Sequence, residues 1–380
     1  MPRKFLIVML SSNGDCVMVT TLARQLKHND SDCHITWAIS YKCRQAIDNN
    51  PHVDRIWEIQ YSTNEDVWEK VKKEAEEKKL NGEFDEILYC PIFPDHRERF
   101  DGTTRSSTFR VYSQPITIPV SPVIRLYESE IENVKEFSKK YQLTEYKHVV
   151  LCECAPSSIQ TFLNPALMLN IANKIIEYRD DVLFIISTHL ELGIKNKRII
   201  DASELSYREN AELSKYCTLL VGCSSGITWL LTSDWAKQIP TIQFLNKSEE
   251  RPLNFASVKY DFKYYGLTTD HIIESSENNL SKMVEIINAS LDDFGKSKKS
   301  YDEDLKPSIK MFRLYLTDIF RFRKIGKSFR NSFIFLKNFG KRNNKGIGFY
   351  LLFPFFLLES IIKRFQYEFL VFFAKKKSLQ

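Results

Sequence analysis

Phe5-Leu6-Ile7-Val8-Met9-Leu10-Ser11-Ser12-Asn13-Gly14-Asp15 is the stretch that decides the architecture of this chain. Six apolar residues run into a Ser/Gly corner, after which Val17, Val19, Leu22, Ala23 and Leu26 recur at helical spacing. A buried strand that turns through such a corner into a helix opens an α/β fold and offers polar groups to a ligand. The corner carries one carboxylate, Asp15, at the strand's exit, where open parallel sheets hold their ligands. Two roles fit Asp15: an N-terminal cap of the helix, for which Asp is favoured, or a carboxylate with chemistry to do.

Outward from this unit the same alternation continues. Strands are expected at 33–39, 53–59 and 84–90, with helices at 16–28, 41–49 and 64–79. Residues 91–122 carry five prolines and read as an irregular segment over a cleft. A helix over 126–141 leads to Thr144-Glu145, a hinge. The alternation then restarts: strand 148–154, the turn Ala155-Pro156-Ser157-Ser158, helix 164–179, strand 181–187, helix 207–216, strand 217–222, helix 227–236, strand 241–245. Helices between apolar strands imply parallel sheets with right-handed crossovers. At 380 residues, two domains and an appendage are expected. The divisions fall at 1–125, a linker at 126–146, a second domain at 147–300, and a tail at 301–380.

Three segments, in order, resemble the family 9 glycosyltransferases, the lipopolysaccharide heptosyltransferase group. Ser11-Ser12-Asn13-Gly14-Asp15 with Thr20-Thr21 and Leu26-Lys27 is similar to the opening of that family. Asn50-Pro51-His52-Val53-Asp54-Arg55-Ile56 is similar to its Asn-Pro-His-Val-Asp segment. Ile199-Ile200-Asp201, Leu205-Ser206, Glu209, Leu213 and Leu219 to Gly226 resemble the approach to its donor loop. The resemblance implies a GT-B fold, with two doubly wound Rossmann-like domains facing across a cleft. It also implies transfer of a heptose or other hexose-like unit from a nucleotide-sugar donor to a lipid-linked or lipopolysaccharide-type glycan of the bacterial envelope.

The same resemblance assigns Asp15 as general base, a task a carboxylate within reach of the acceptor hydroxyl can perform. Ser12, Asn13 and Gly14 would line the acceptor side, together with Arg97 and Arg105 of the irregular segment, whose alternative is a solvated loop. Ser157 and Ser158 match a Thr/Ser pair that meets the donor phosphate. The lysine that often follows is absent from Ile159-Gln160-Thr161-Phe162. Ser224, Ser225, Gly226 and Thr228 would hold the donor diphosphate, or else form an ordinary helix cap and turn. Glu191 matches a glutamate near the donor ribose, with an exposed surface carboxylate as the alternative. The family's usual Asp and His are replaced by Ser224 and Trp229. These losses keep two other readings open: a catalytically silent binding protein, and a nucleotide-sugar epimerase of the same fold. Trp229 either stacks on a sugar or base or packs in the core.

The eight cysteines lie between Cys16 and Cys223 without a Cys-x-x-Cys pair, which suits buried thiols in a reducing compartment. The histidines show no metal-ligand spacing, so neither metal nor other cofactor is expected. From Lys306 onward, 17 Lys/Arg face three acids, giving +14 in a chain of net +6. The preceding 305 residues therefore carry −8. Fifteen of the 27 phenylalanines also lie in this tail. Ile347 to Leu358 is an uncharged run of twelve, shorter than the ~20 residues a spanning helix needs. An interfacial helix pair with polybasic flanks is expected, holding a cytoplasmic protein to the inner membrane surface through residues 306–380. A helical extension packed on the body is the alternative. Nucleic acid would leave the Phe/Leu run without a purpose. Truncation before Lys306 is expected to leave a soluble body, with Phe353, Phe355 and Phe356 acting as one membrane-facing cluster.

Overall fold

The computed structural model describes residues 2–60, 65–93, 95–157, 159–194, 196–250, 255–321 and 325–377. The first half begins β1 (Lys4–Val8), α1 (Asn13–Asn29), β2 (His34–Ser40), β3 (Arg55–Ile59), α2 (Glu65–Leu80) and β4 (Glu86–Tyr89). All four strands are parallel, in the order β3-β2-β1-β4. The expected helix over 41–49 is a short 3-10 segment, Tyr41–Ala46. Among its described residues the irregular segment holds a 3-10 turn, Arg97–Arg99, and one α-helix, α3 (Thr104–Phe109), and α4 (Glu128–Lys140) follows.

The second half contains β5 (His148–Glu153), α5 (Pro165–Ile176), β6 (Val182–Ser187), β7 (Ile199–Asp201), α6 (Glu209–Leu213), β8 (Leu219–Gly222), α7 (Gly226–Leu230), β9 (Thr241–Phe244), α8 (Val258–Tyr264), β10 (Ile272–Ser275), α9 (Leu280–Asp292) and α10 (Phe294–Tyr301). Its six parallel strands run β10-β9-β8-β5-β6-β7. Each sheet has a point where the strand order reverses: between β1 and β4 in the first, and between β5 and β8 in the second. Ligands of open α/β sheets bind outside the carboxyl ends of strands at such points. Asp15, Ser157 and Ser224 all follow strands that flank them.

The two halves meet closely. A Cβ placed on Gly14 would lie 3.1 Å from Cδ1 of Trp229 and 3.5 Å from Cα of Gly226. One on Gly226 would lie 3.1 Å from the Tyr207 ring. Glycine at both corners thus lets the start of α1 abut the start of α7. Arg208, 2% exposed, reaches from the second half to Glu130 and to the backbone oxygens of Gln45, Asp48 and Arg125.

The tail folds into α11 (Ile309–Arg321), α12 (Ile325–Arg342) and α13 (Ile347–Lys377). Its inner faces build a core around Phe312, which stacks on Phe335 at 4.8 Å and meets Phe349 edge-on at 4.9 Å. That core includes Ile92, Phe100, Leu245 and Phe255 of the body, and Tyr315 stacks on Phe100 at 4.8 Å. The tail is therefore packed on the body, which corrects the expectation of a separable extension. The Phe353/Phe355/Phe356 cluster is also divided: Phe353 is 4% exposed, Phe356 is half-buried, and Phe355 is 69% exposed. On a helix these three positions cannot share one face. Among the described residues no helix is long and apolar enough to cross a membrane.

Candidate functional site

Two cavities flank the pinch between Gly14 and Gly226, and both are walled by Ser12, Gly14, Ser225 and Gly226. The smaller, about 190 Å³, adds Asp15, Thr104, Gln160, Ser224, Trp229 and Phe255. The larger, about 550 Å³, lies over the carboxyl ends of β5, β6 and β8, with Asn13, Glu153, Ser157, His189, Tyr207 and Asn210 in its walls. The structure thus brings Asp15, Ser12, Asn13, Gly14, Ser157, Ser224, Ser225 and Gly226 to one cleft.

Asp15 is the third residue of α1 and half-buried. Its carboxylate accepts a hydrogen bond of 3.0 Å from the Ser12 hydroxyl, while Ser12, the N-cap residue, makes no side-chain cap bond of its own. Burial raises the Asp15 pKa above the ordinary carboxylate value, and hydrogen bonds from the Ser12 hydroxyl and backbone oppose the rise. Asp15 thus ties the corner together and still faces the small cavity. Around it, Oγ of Ser224 and Oε1 of Gln160 are buried without a hydrogen-bond partner, as are Oδ1 of Asn13 and of Asn210 in the larger cavity. Unspent buried polar atoms carry a cost that a ligand's polar groups would relieve.

Glu153 is a participant the sequence did not single out. It closes β5, is 4% exposed, and places its carboxylate at the start of α7. Oε1 accepts from the N–H of Ile227 at 2.6 Å and of Thr228 at 3.2 Å; Oε2 accepts from the Thr228 hydroxyl at 2.5 Å. A helix start favours an anion, and here the chain supplies its own. Burial nevertheless raises the Glu153 pKa, against the pull of the Thr228 hydroxyl and the backbone N–H groups. The donor role expected of Thr228 is corrected accordingly: its side chain is buried beneath the cleft and spent on Glu153. Ser224 takes a left-handed conformation, φ 53°, and its N–H donates to the Gln243 side chain.

Other expected residues lie elsewhere. Arg105 is wholly buried; its backbone N–H and its Nε donate to Asp261 of α8, and its guanidinium sits 4.8 Å from the Phe262 ring and 5.2 Å from that of Trp229. Arg97 pairs with Asp318 of α11 and lies over Phe93. Both arginines brace the fold, because a buried or half-buried guanidinium needs a carboxylate partner, and neither lines the two cavities. Glu191 is exposed and lines neither cavity. Trp229 is 4% exposed and packs with Met18, Val258 and Phe262. Ser158 lies outside the described residues. Among the described residues no Lys or Arg lines either cavity, and no cluster of His, Cys, Asp or Glu is arranged to hold a metal ion.

This arrangement defines a GT-B fold, with a polar cleft between two doubly wound halves and an added helical tail. The architecture is similar to that of a family 9 glycosyltransferase from Veillonella parvula, at 14% identity and a TM-score of 0.50, covering 77% of this chain and 93% of that one. An ADP-heptose lipopolysaccharide heptosyltransferase II from Escherichia coli aligns at 14% identity and TM-score 0.45, over 76% and 98% of the two chains. A putative UDP-N-acetylglucosamine 2-epimerase from Listeria monocytogenes aligns at 13% and 0.45, over 83% and 96%. No protein-family profile matches the sequence. No curated protein matches it either.

Proposed function

We propose that this chain is a divergent family 9-type glycosyltransferase that uses Asp15 as base. The observation that carries this reading is the Asp15 carboxylate in a small cavity sharing four wall residues with a larger polar one. The acceptor hydroxyl gives its proton to Asp15 as its oxygen attacks the anomeric carbon. The bond from that carbon to the donor phosphate breaks, and the nucleoside diphosphate leaves with the bonding pair. The donor lies in the larger cavity, near Ser157 and Ser225-Gly226; the acceptor is a lipid-linked or lipopolysaccharide-type glycan presented at the inner membrane surface.

A second reading, the catalytically silent binding protein, is favoured by two observations: Glu153 occupies the amide groups at the start of α7, and among the described residues no Lys or Arg lines the cleft. A leaving diphosphate would meet hydroxyls, amides and His189 instead. A thermal-shift screen of nucleotide sugars, followed by product analysis with and without a glycan acceptor, separates these readings and detects epimerisation as well. With an active donor in hand, Asp15→Asn should lower transfer more than tenfold, about 1.4 kcal/mol in barrier, while donor binding is retained. Turnover above that level removes Asp15 as the base; no stabilisation by any nucleotide sugar selects the silent reading.

A further inference from the structure

The helical tail has two sides. The inner side is committed, with Phe349 and Phe353 buried against α11 and α12. The outer side of α13 is open to solvent. Ile347, Leu351, Phe355, Leu358, Ile362 and Phe365 are between 48% and 77% exposed. Their spacing in steps of three and four lays them along one helix face. At a helical rise of 1.5 Å per residue the stripe runs about 27 Å. An apolar surface of this extent marks an interaction site rather than ordinary scatter.

α12 supplies charge beside it. Lys327, Arg330, Lys337 and Lys341 are exposed, and α12 contains no acidic residue. Phe333 of the same helix, 56% exposed, meets Phe353 on the inner side of α13 at 5.3 Å, so the two helices lie side by side. Two copies of the chain laid face to face here would set these cations against their like. An anionic lipid surface meets both the charge and the apolar stripe.

We propose that the outward stripe of α13 and the basic row of α12 form one docking face for an anionic bilayer, on which α13 lies in the plane of the interface. This rests on the reading of the acceptor as lipid-linked, and deepens it. The tail stays packed on the body while docked, so the enzyme sits on the membrane as a rigid unit with its cleft held at a constant height. Phe355 enters the lipid and Phe353 does not.

The test uses the full chain in vesicle sedimentation, with phosphatidylcholine alone and with phosphatidylcholine mixed with phosphatidylglycerol. The wild type should bind the mixed vesicles far better than the neutral ones. The double variant Lys327→Gln/Lys337→Gln should lose roughly tenfold in affinity at low salt, the regime where surface charge acts. Leu351→Ser/Phe355→Ser should lose about tenfold or more even at high salt, because its loss is apolar burial. All four positions are exposed, and a circular-dichroism melt verifies that each variant folds. Equal binding by wild type and both variants overturns the proposal. So does a wild-type dimer that Leu351→Ser/Phe355→Ser dissociates, since the stripe would then belong to a second copy. Vesicle binding is read without any sugar. If it behaves as expected while Asp15-dependent transfer is absent, the docking face stands and the transfer reading falls; the reverse pattern removes the docking face alone.

Discussion

Asp15 and Glu153 are two carboxylates in one cleft with different duties. Glu153 is saturated by the start of α7, whereas among the described residues Asp15 is held by Ser12 alone and faces a cavity. Burial raises both pKa values. A carboxylate whose folded pKa is raised binds protons more readily folded than unfolded, so its ionisation costs stability as pH rises from the ordinary value through the raised one. Asp181, Asp304 and Glu359 run the other way, drawn down to about 2 by Arg179, Lys263 and Arg313. Their contribution is present above the ordinary carboxylate value and is lost as pH falls from there toward about 2. If Asp15 is the base, the acid limb of kcat/KM should lie above the range of an ordinary aspartate, ~3.9. A pH–rate profile checks this; a limb at or below that value assigns the proton to another group.

At the level of the element, what the sequence revealed depends on how local each signal was. β1, β2, β5 and β8 carry continuous apolar runs and were legible. β7 and β10, edge strands with two apolar residues each, were not, because so short an apolar run has no period to read. The helix expected over 227–236 stops at Leu230. The strand–turn–helix corners at Asp15 and Ser224–Gly226 were visible for the same reason that β1 was. Glu153, Gln160, Tyr207 and Asn210 reach the cleft only through tertiary packing, and each reads locally as an ordinary polar residue. Arg105 misled because an arginine in a proline-rich segment suggests solvent, yet α8 brings Asp261 to it from 156 residues away. This pair ties α3 to α8. Arg105→Ala should destabilise the protein by about 3–5 kcal/mol, since it strands Asp261 as a buried charge. Urea unfolding measures this, and a loss below about 1 kcal/mol, the scale of exposed pairs, shows that water reaches Asp261.

For the whole molecule the core around Phe312 matters most. Cutting before Lys306 removes Phe312, Phe335, Phe339, Phe349 and Phe353 and bares Ile92, Phe100, Leu245 and Phe255. The shortened chain should therefore melt earlier and aggregate, contrary to the soluble body expected from sequence. Differential scanning calorimetry and light scattering check this, and an unchanged melting temperature would show that the two sheets fold without the tail. The same arrangement imposes an order on biosynthesis. Phe255 is joined to the growing chain well before Phe353, and at the usual pace of a ribosome the gap is on the order of ten seconds. Through that interval the nascent protein carries a greasy patch whose cover has not yet been made, so a need for chaperones is written into the direction of translation itself.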